Sequence, residues 1–318
     1  MSITFLQAGN GDCIHIESEG HHVIIDSGEV CQELVSLVEA IQKAHERIDL
    51  LVITHYDSDH IKAIINILEG MKARDRKKLV KKVWFNATKI GYHGNDKQLS
   101  ASDATKLSQI LLEAKIKWVS ELKKGDKEII NENVSIEVIY GGEIYKPAGE
   151  GEYLCDESID WDTSFNELER YLDDDAIDTS RTNAQSAILV AHLNGKSVLL
   201  PGDATPQKLT KALDDYGKDG NLQFDLVKLP HHGSYMNITQ KILEKFECSD
   251  YMITTNGAKY YHPNKKMMLK VLSWGRRKGK KLKFHLNYYD ELFEQLNISQ
   301  ADKNCYKFEC DGKRKFEF

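Results

Sequence analysis

Short apolar runs, each closed by a polar cluster, recur along the first third of the chain. Ile3-Thr4-Phe5-Leu6 leads into Gly9-Asn10-Gly11-Asp12. Cys13-Ile14-His15-Ile16 and Val23-Ile24-Ile25 flank Glu19-Gly20, the pattern of two strands joined by a tight hairpin turn. The second of these strands ends in Asp26-Ser27-Gly28. Between residues 31 and 47, Leu34, Val35, Val38 and Ile41 recur at helical spacing. Leu50-Leu51-Val52-Ile53 is wholly apolar and reads as a strand buried on both faces. It runs into Thr54-His55-Tyr56-Asp57-Ser58-Asp59-His60, after which Ile61, Ile64, Ile65 and Leu68 predict a helix. Strands, helix, strand, polar loop and helix in this order predict an α/β fold.

The same grammar continues downstream. Val83-Trp84-Phe85-Asn86 predicts a strand, and Ser102 is a candidate cap for a helix with Ala104, Leu107, Ile110, Leu111 and Ala114. Ala187–Ala191 and Ser197–Leu200 flank Asn194-Gly195, a second hairpin signal, and lead to Pro201-Gly202-Asp203-Ala204. Phe224–Leu229 terminates in Pro230-His231-His232-Gly233-Ser234, and Tyr251–Thr255 is followed by Tyr261-His262-Pro263. One segment breaks the pattern: from Glu143 to Asp178 thirteen acidic residues stand against Lys146 and Arg170, with few strand or helix signals. It is too long for an ordinary connection and predicts an inserted acidic surface element over about 143–180. With no repeat and no low-complexity linker, residues 1–318 are expected to form one domain, with a C-terminal extension over about 280–318.

Chemistry concentrates where the strands end. Two imidazoles and two carboxylates lie within residues 55–60, directly after a buried strand, and a solvated loop has no need of four such groups there. Two divalent metals would use all of them. Asp59 also falls at a helix N-terminus, where a carboxylate is favoured. Asp26, His55 with its loop, Asp203, His231 and His262 all follow strands, which is how a rigid metal site is assembled.

Composition narrows the class. The net charge of −6 argues against a general nucleic-acid coat. Six scattered cysteines without a CxxC pair, and an N-terminus lacking a basic stretch followed by an apolar one, predict reduced thiols in a cytoplasmic protein. No apolar run approaches the roughly 20 residues a membrane span requires.

Taken together, Gly11-Asp12, Asp26-Ser27-Gly28, His55-x-Asp57-x-Asp59-His60, Asn183-Ala184-Gln185-Ser186, Pro201-Gly202-Asp203, Pro230-His231-His232-Gly233-Ser234 and His262-Pro263 resemble the metallo-β-lactamase fold superfamily. The branch they resemble most is that of the soluble domain of the ComEC competence protein. The resemblance spans about 260 residues in order. It implies a four-layer αββα sandwich and a dinuclear metal-dependent hydrolase. The superfamily's common motif is HxHxDH; here Asp57 stands in the place of the second histidine, as in the competence-protein branch. A carboxylate there shifts preference towards manganese or iron without excluding zinc.

Carried over by residue, the resemblance implies that His55, Asp57 and His231 hold one metal and Asp59, His60 and His262 the other, with Asp203 bridging. The histidine usual before the Gly-Asp hairpin is absent at 183–186, so its role is given to His231. A metal-bridging hydroxide would be the nucleophile, and Asp26 would orient a ligand histidine. His232, expected on the opposite face of a strand from its neighbour, would protonate a leaving group, bind a phosphate or serve structurally. Asp12 is a turn cap or a supporting residue, and His93 lies in a glycine-bearing loop near the expected mouth. His21, His22, His45, His192 and His285 read as structural or surface histidines.

The expected reaction is phosphodiester hydrolysis, with DNA a candidate substrate and zinc or manganese the candidate metals. Basic runs at 71–82 and 265–283 are the candidate flank for a polyanion, or else solvated helix faces. Two other readings remain. One is hydrolysis of a small ester, a phosphocholine-type diester or a lactone. The other is a component active only in an assembly, contacted through the acidic segment.

Overall fold

The computed structural model describes residues 1–87, 99–142, 159–172, 176–218 and 220–318. His93 and most of the acidic segment lie outside them. Among the described residues one sheet holds seven strands. Ser2–Phe5 (β1), Ile14–Ser18 (β2), His21–Ile25 (β3), Arg47–Ile53 (β4), Lys82–Phe85 (β5) and Lys117–Val119 (β6) follow one another across it, and Lys315–Glu317 pairs with β1 at its edge. The second sheet holds eight. Its members are Lys127–Asn131 (β7), Val134–Tyr140 (β8), Ile188–Leu193 (β9), Lys196–Leu200 (β10), Leu226–Lys228 (β12), Asp250–Ile253 (β14), Leu282–Leu286 (β15) and Phe308–Asp311 (β16). Leu222–Gln223 (β11) and Phe246–Glu247 (β13) form a separate pair, and Lys315–Glu317 is β17.

The two sheets face each other, and the sequence shows why. Strands alternate their side chains, so Ile25, Leu50, Val52 and Trp84 turn inward against Val138, Leu189, Val198, Leu200 and Met252 of the second sheet. Ile24, Leu51, Ile53, Val83 and Phe85 turn outward. Helices Gln32–Lys43 (α1), Ser58–Glu69 (α2), Ala73–Leu79 (α3) and Leu99–Glu113 (α4) cover that face with Leu34, Val38, Ile41, Ile61, Ile64 and Leu107. The wholly apolar run 50–53 thus needs both faces buried, and each large-to-alanine change there would cost about 2–5 kcal/mol. On the outer face of the second sheet lie Phe165–Leu168 (α5), Pro206–Tyr216 (α6), Gln240–Leu243 (α7) and Lys265–Arg277 (α8). The result is the four-layer αββα sandwich.

Both predicted hairpins are two-residue turns with left-handed backbone at each position: Glu19 and Gly20 at φ 54° and 77°, Asn194 and Gly195 at φ 50° and 78°. No helix among the described residues is long and apolar enough to cross a membrane.

Three expectations change. The described part of the acidic segment is anchored in the core and not only laid on the surface: Trp161, Phe165 and Leu168 are buried beside α8, and Asp160 accepts hydrogen bonds from the Lys265 and Lys266 backbone amides that open that helix. The stretch 280–318 is not appended, because it supplies β15 and β16 to one sheet and β17 to the other. The basic runs do not flank the strand ends that carry the ligands. β3, β4 and β5 are parallel, so 71–82, which precedes β5, lies at the opposite end of the sheet from residues 54–60. Lys81 pairs there with Asp49, and Lys82 with Glu128. Lys278–Lys283 likewise lies where β14 and β15 begin, whereas Lys265 and Lys270 are buried and bond to backbone carbonyls of Trp161 and Tyr235.

Candidate metal centre

Parallel pairing aligns the carboxyl ends of β3 and β4 in one sheet and of β10, β12 and β14 in the other. Every candidate ligand leaves from one of these ends. Asp26, just after β3, adopts φ 57° and is the hub of the first sheet's contribution. Its Oδ1 accepts from the Thr54 amide at 2.7 Å, and its Oδ2 accepts from Thr54 Oγ1 at 2.7 Å and from His60 Nδ1 at 2.9 Å. Having given its proton to Asp26, Thr54 Oγ1 accepts from His55 Nδ1 at 3.2 Å. Both imidazoles are therefore held with Nδ1 protonated and the Nε2 lone pair free.

The first turn of α2 is braced from the same strand end. Ser27 N and Oγ both donate to the His60 carbonyl, and the Ile64 amide donates back to Ser27 Oγ. Gly11 presses against this turn, where a Cβ would fall 1.7 Å from the Asp59 carbonyl oxygen, so the position admits no side chain.

The second sheet delivers Asp203, His231, His232 and His262. Pro230–Gly233 is a short 3-10 turn rather than the end of a strand, and His231 and His232 both have positive φ, 47° and 55°. Period-two alternation does not apply, and both imidazoles reach the centre. His232 Nδ1 donates to the Thr254 carbonyl at 3.0 Å, and its Nε2 lies 3.3 Å from Asp203 Oδ2 and 3.5 Å from Asp59 Oδ2. His60 Nε2 lies 3.3 Å from the same Asp203 oxygen. Asp59, His60, Asp203 and His232 thus bring four ligand atoms within 4.8 Å of one another. With Nδ1 committed to Thr254 and Nε2 facing the Asp203 and Asp59 carboxylates, His232 is placed among the candidate ligands.

His231 sits beside this group. Its Nδ1 donates to Asn237 Oδ1 at 3.1 Å, and its Nε2 is 3.8 Å from Asp203 Oδ2. His55 Nε2 is 3.6 Å from Asp57 Oδ2, with its ring 4.2 Å from that of His60. The His262 ring lies 5.3 Å from that of His231. Of the partition the resemblance implies, His55 lies beside Asp57 and Asp59 groups with His60, and the left-handed turn adds His232 to the second group.

A buried cation escaped the sequence reading. Lys228, the last residue of β12, is 0% exposed, with its ammonium against Asp12 Oδ2, 3.2 Å from the Gly202 carbonyl and 3.6 Å from Asp203 Oδ1. Asp12 is fixed in turn by Thr254 Oγ1. One Asp203 oxygen faces the lysine and the other faces His60 and His232. Asp178 and Asn237 were also missed: Asn237 Nδ2 donates to Asp178 Oδ2 at 2.8 Å while its Oδ1 orients His231. A lysine closing an apolar strand and an asparagine in a turn carry no local signal of such roles.

Three observations show that these residues fit divalent metal. Among the described residues, His55 Nε2, His60 Nε2, His232 Nε2 and both nitrogens of His262 are buried without a hydrogen-bond partner. Leaving such atoms unmatched costs about 1–3 kcal/mol each, which a metal bond removes. The donors are imidazoles and carboxylates, the set that suits zinc, manganese and iron. The field is right as well. Burial would raise Asp203, yet His232, His60 and His231 hold it well below the usual carboxylate range. Burial would lower His60, yet Asp203, Asp26 and Asp59 raise it well above its ordinary value. The carboxylates thus favour positive charge at the centre. His262, by contrast, is pushed well below its ordinary value, first by burial and then by His231 and His232, so it presents lone pairs. Three other histidines are engaged elsewhere: His285 lies between Asp311 and Asp250, His192 meets Glu137, and His21 meets Asp49.

The model of the metallo-beta-lactamase superfamily matches residues 6–86, the portion holding Asp12, Asp26 and the 55–60 turn. Two facing sheets with helices outside complete the metallo-β-lactamase fold. Among solved structures, the chain is similar to the metallo-beta-lactamase fold protein YhfI from Bacillus subtilis at 12% identity and a TM-score of 0.47, covering 99% of this chain and 97% of that one. It is similar to zinc-bound PqqB from Methylobacterium extorquens at 10% identity and a TM-score of 0.46, covering 100% of both chains. The short form of human tRNase Z shares 12% identity at a TM-score of 0.42, covering 100% and 99%. These likenesses concern the fold. No curated protein sequence matches the chain.

Proposed function

We propose that the protein is a dinuclear metal-dependent hydrolase and that its reaction is phosphodiester cleavage. The observation that carries this reading is the ring of buried, unpartnered imidazole nitrogens around Asp57, Asp59 and Asp203. Two divalent cations at this centre, zinc or manganese, would activate water at neutral pH and neutralise charge developing on phosphoryl oxygens. His55, Asp57, Asp59, His60, Asp203, His231, His232 and His262 are the residues to hold them.

The protein's own groups support hydrolysis by water. Among the described residues of the centre no side chain is poised as a nucleophile. The Thr54 hydroxyl is given to Asp26 and that of Thr254 to Asp12. Burial pushes the neighbouring Cys13 thiol well above its ordinary value, which keeps it protonated and unreactive. Asp26 holds His60, Thr54 holds His55, Thr254 holds His232 and Asn237 holds His231, so each imidazole has one orientation before substrate arrives. Lys228 offsets part of the negative charge without leaving the core. The aspartate in the HxDxDH turn, the form shared with the competence-protein branch, supports manganese alongside zinc and a nuclease-type substrate.

The test is hydrolysis of bis-p-nitrophenyl phosphate and of single- and double-stranded DNA by manganese- or zinc-loaded protein, beside the double variant Asp59→Ala/His60→Ala. Metal-dependent diester cleavage that disappears in the variant is expected. A protein that binds metal yet cleaves neither class, and instead opens lactones or carboxylic esters, would overturn the phosphodiester assignment.

A further inference from the structure

The loop between β14 and His262 forms a rim over the centre that the metal constellation does not use. It is fastened to the glycine-rich turn of the first sheet: the Asn256 amide donates to the Gly9 carbonyl at 2.9 Å, and the Lys259 amide donates to Asn10 Oδ1 at 3.0 Å. Within it, the Ala258 amide donates to Asn256 Oδ1 at 3.0 Å. Gly257 has φ 72° and is hemmed in by Leu292 and Trp161, so the loop has little room to shift.

What the loop displays is an ordered series of groups. Tyr260 and Tyr261 both have left-handed backbone, φ 63° and 51°, a conformation that bulky side chains rarely adopt and that clusters at binding sites. The Lys259 ammonium lies 4.7 Å from the centre of the Tyr260 ring. That ring is 6.3 Å from the His262 ring and tilted 37° to it, and His262 is 5.3 Å from His231. From solvent inward the order is cation, aromatic ring and candidate metal ligands. Alongside, Tyr261 is 41% exposed and packs perpendicular to Trp161 at 6.1 Å between ring centres. Burial would lower the Lys259 pKa, but Tyr260 and then the Asp59 and Glu29 carboxylates raise it.

This combination matches one substrate chemistry. An exposed aromatic face beside a fixed cation binds a nucleobase and its phosphate, and stacking on one ring is worth roughly five- to a hundred-fold in affinity. A compact anionic ester would gain from Lys259 and nothing from Tyr261. A duplex needs a broad basic track; the run at 71–82 and residues 278–283 lie at the far ends of the sheets, and at the start of α8 Lys265 and Lys270 are buried, leaving Lys266 half-buried.

We propose that Lys259, Tyr260 and Tyr261 form a nucleotide-binding rim: Tyr261 stacks an unpaired base, and Lys259 with Tyr260 receives the phosphate next to the one being cleaved. This rests on the phosphodiesterase reading, and the rim makes single-stranded nucleic acid its substrate.

Two measurements separate the rim from the chemistry. The first compares thymidine 5′-(p-nitrophenyl phosphate) with methyl p-nitrophenyl phosphate, which share the diester and leaving group and differ by the nucleoside. Tyr261→Ala is expected to lower the ratio of their kcat/KM values roughly tenfold, and Tyr261→Phe to restore it. The second is fluorescence anisotropy of a dye-labelled oligothymidylate ten nucleotides long with metal-free protein, which needs no turnover. Lys259→Ala is expected to weaken binding and to reduce the slope of log affinity against log salt by about 1. An unchanged substrate ratio in Tyr261→Ala overturns the rim. If wild type cleaves neither ester, the diesterase reading fails, and the anisotropy decides the rim alone: no binding, or binding that neither substitution weakens, overturns it.

Discussion

Replacing Lys228 with methionine removes the lysine buried among the carboxylates of the centre. Lys228 is fully buried, Asp12 and Asp203 nearly so, and the ammonium contacts both. Burial would lower its pKa, but Asp12 and Asp203 more than offset this and raise it, so the lysine stays charged. Lys228→Met keeps the chain length and leaves Asp12 and the Oδ1 side of Asp203 without the ammonium that faces them. Removing one partner of a buried pair costs about 3–5 kcal/mol, much of it from the uncompensated charge left behind. At about 2 cal/mol/K of unfolding entropy per residue, a loss of about 4 kcal/mol lowers the melting temperature of a chain this long by about 6 °C.

The assay is chemical and thermal unfolding in chelator at pH 8, on Lys228→Met, Asp12→Asn and the double variant. The double variant removes the orphaned charge with its partner, so it should recover about 2 kcal/mol relative to additivity. A loss below about 1 kcal/mol in Lys228→Met, or strictly additive costs, would refute the claim that this ion pair balances the centre.

Other outcomes follow from the same geometry. Asp26→Asn keeps the shape but weakens the acceptor of His60 Nδ1–H, and should cost about 10–100-fold in metal affinity by isothermal titration, with stability changed far less. His15 is held neutral to about pH 4, chiefly by burial and then by His22 at 3.0 Å, while an unfolded histidine protonates near 6.5. The unfolded chain takes up that proton first, so stability is present above pH 6.5 and falls by about 3 kcal/mol, less a discount for partial exposure, as pH drops towards 4. In His15→Gln, urea midpoints across that window should fall less steeply; an unchanged slope would contradict the assignment.

Much of the fold could be read from local pattern. The apolar run 50–53 announced a strand with two buried faces, and both two-residue turns carried glycine where left-handed backbone was needed. Asp26, the 55–60 turn and Asp203 were legible because ligand-type residues followed strands, and the sheet register brings those strand ends together. His232 was misplaced because two consecutive left-handed residues break strand alternation, and the flanking Pro230 and Gly233 mark a turn without specifying its hand. Lys228 was overlooked because its partner Asp12 lies at the other end of the chain. The two readings of the basic runs, polyanion flank or solvated helix face, could not be separated in the sequence because charge composition says nothing about which end of a sheet a segment occupies. Trp161 and Phe165 became core residues inside an acidic stretch, since a few apolar residues can anchor a segment whose polar majority faces water.

The most direct test of the account is the metal content of the purified protein, measured by inductively coupled plasma mass spectrometry after equilibration with zinc or manganese and removal of free ion. Two equivalents per chain are predicted for wild type, falling to one or fewer in Asp59→Ala/His60→Ala, with a melting temperature that rises on loading only in wild type. A wild-type protein that retains no metal and melts at the same temperature with and without it would contradict the assignment of this centre.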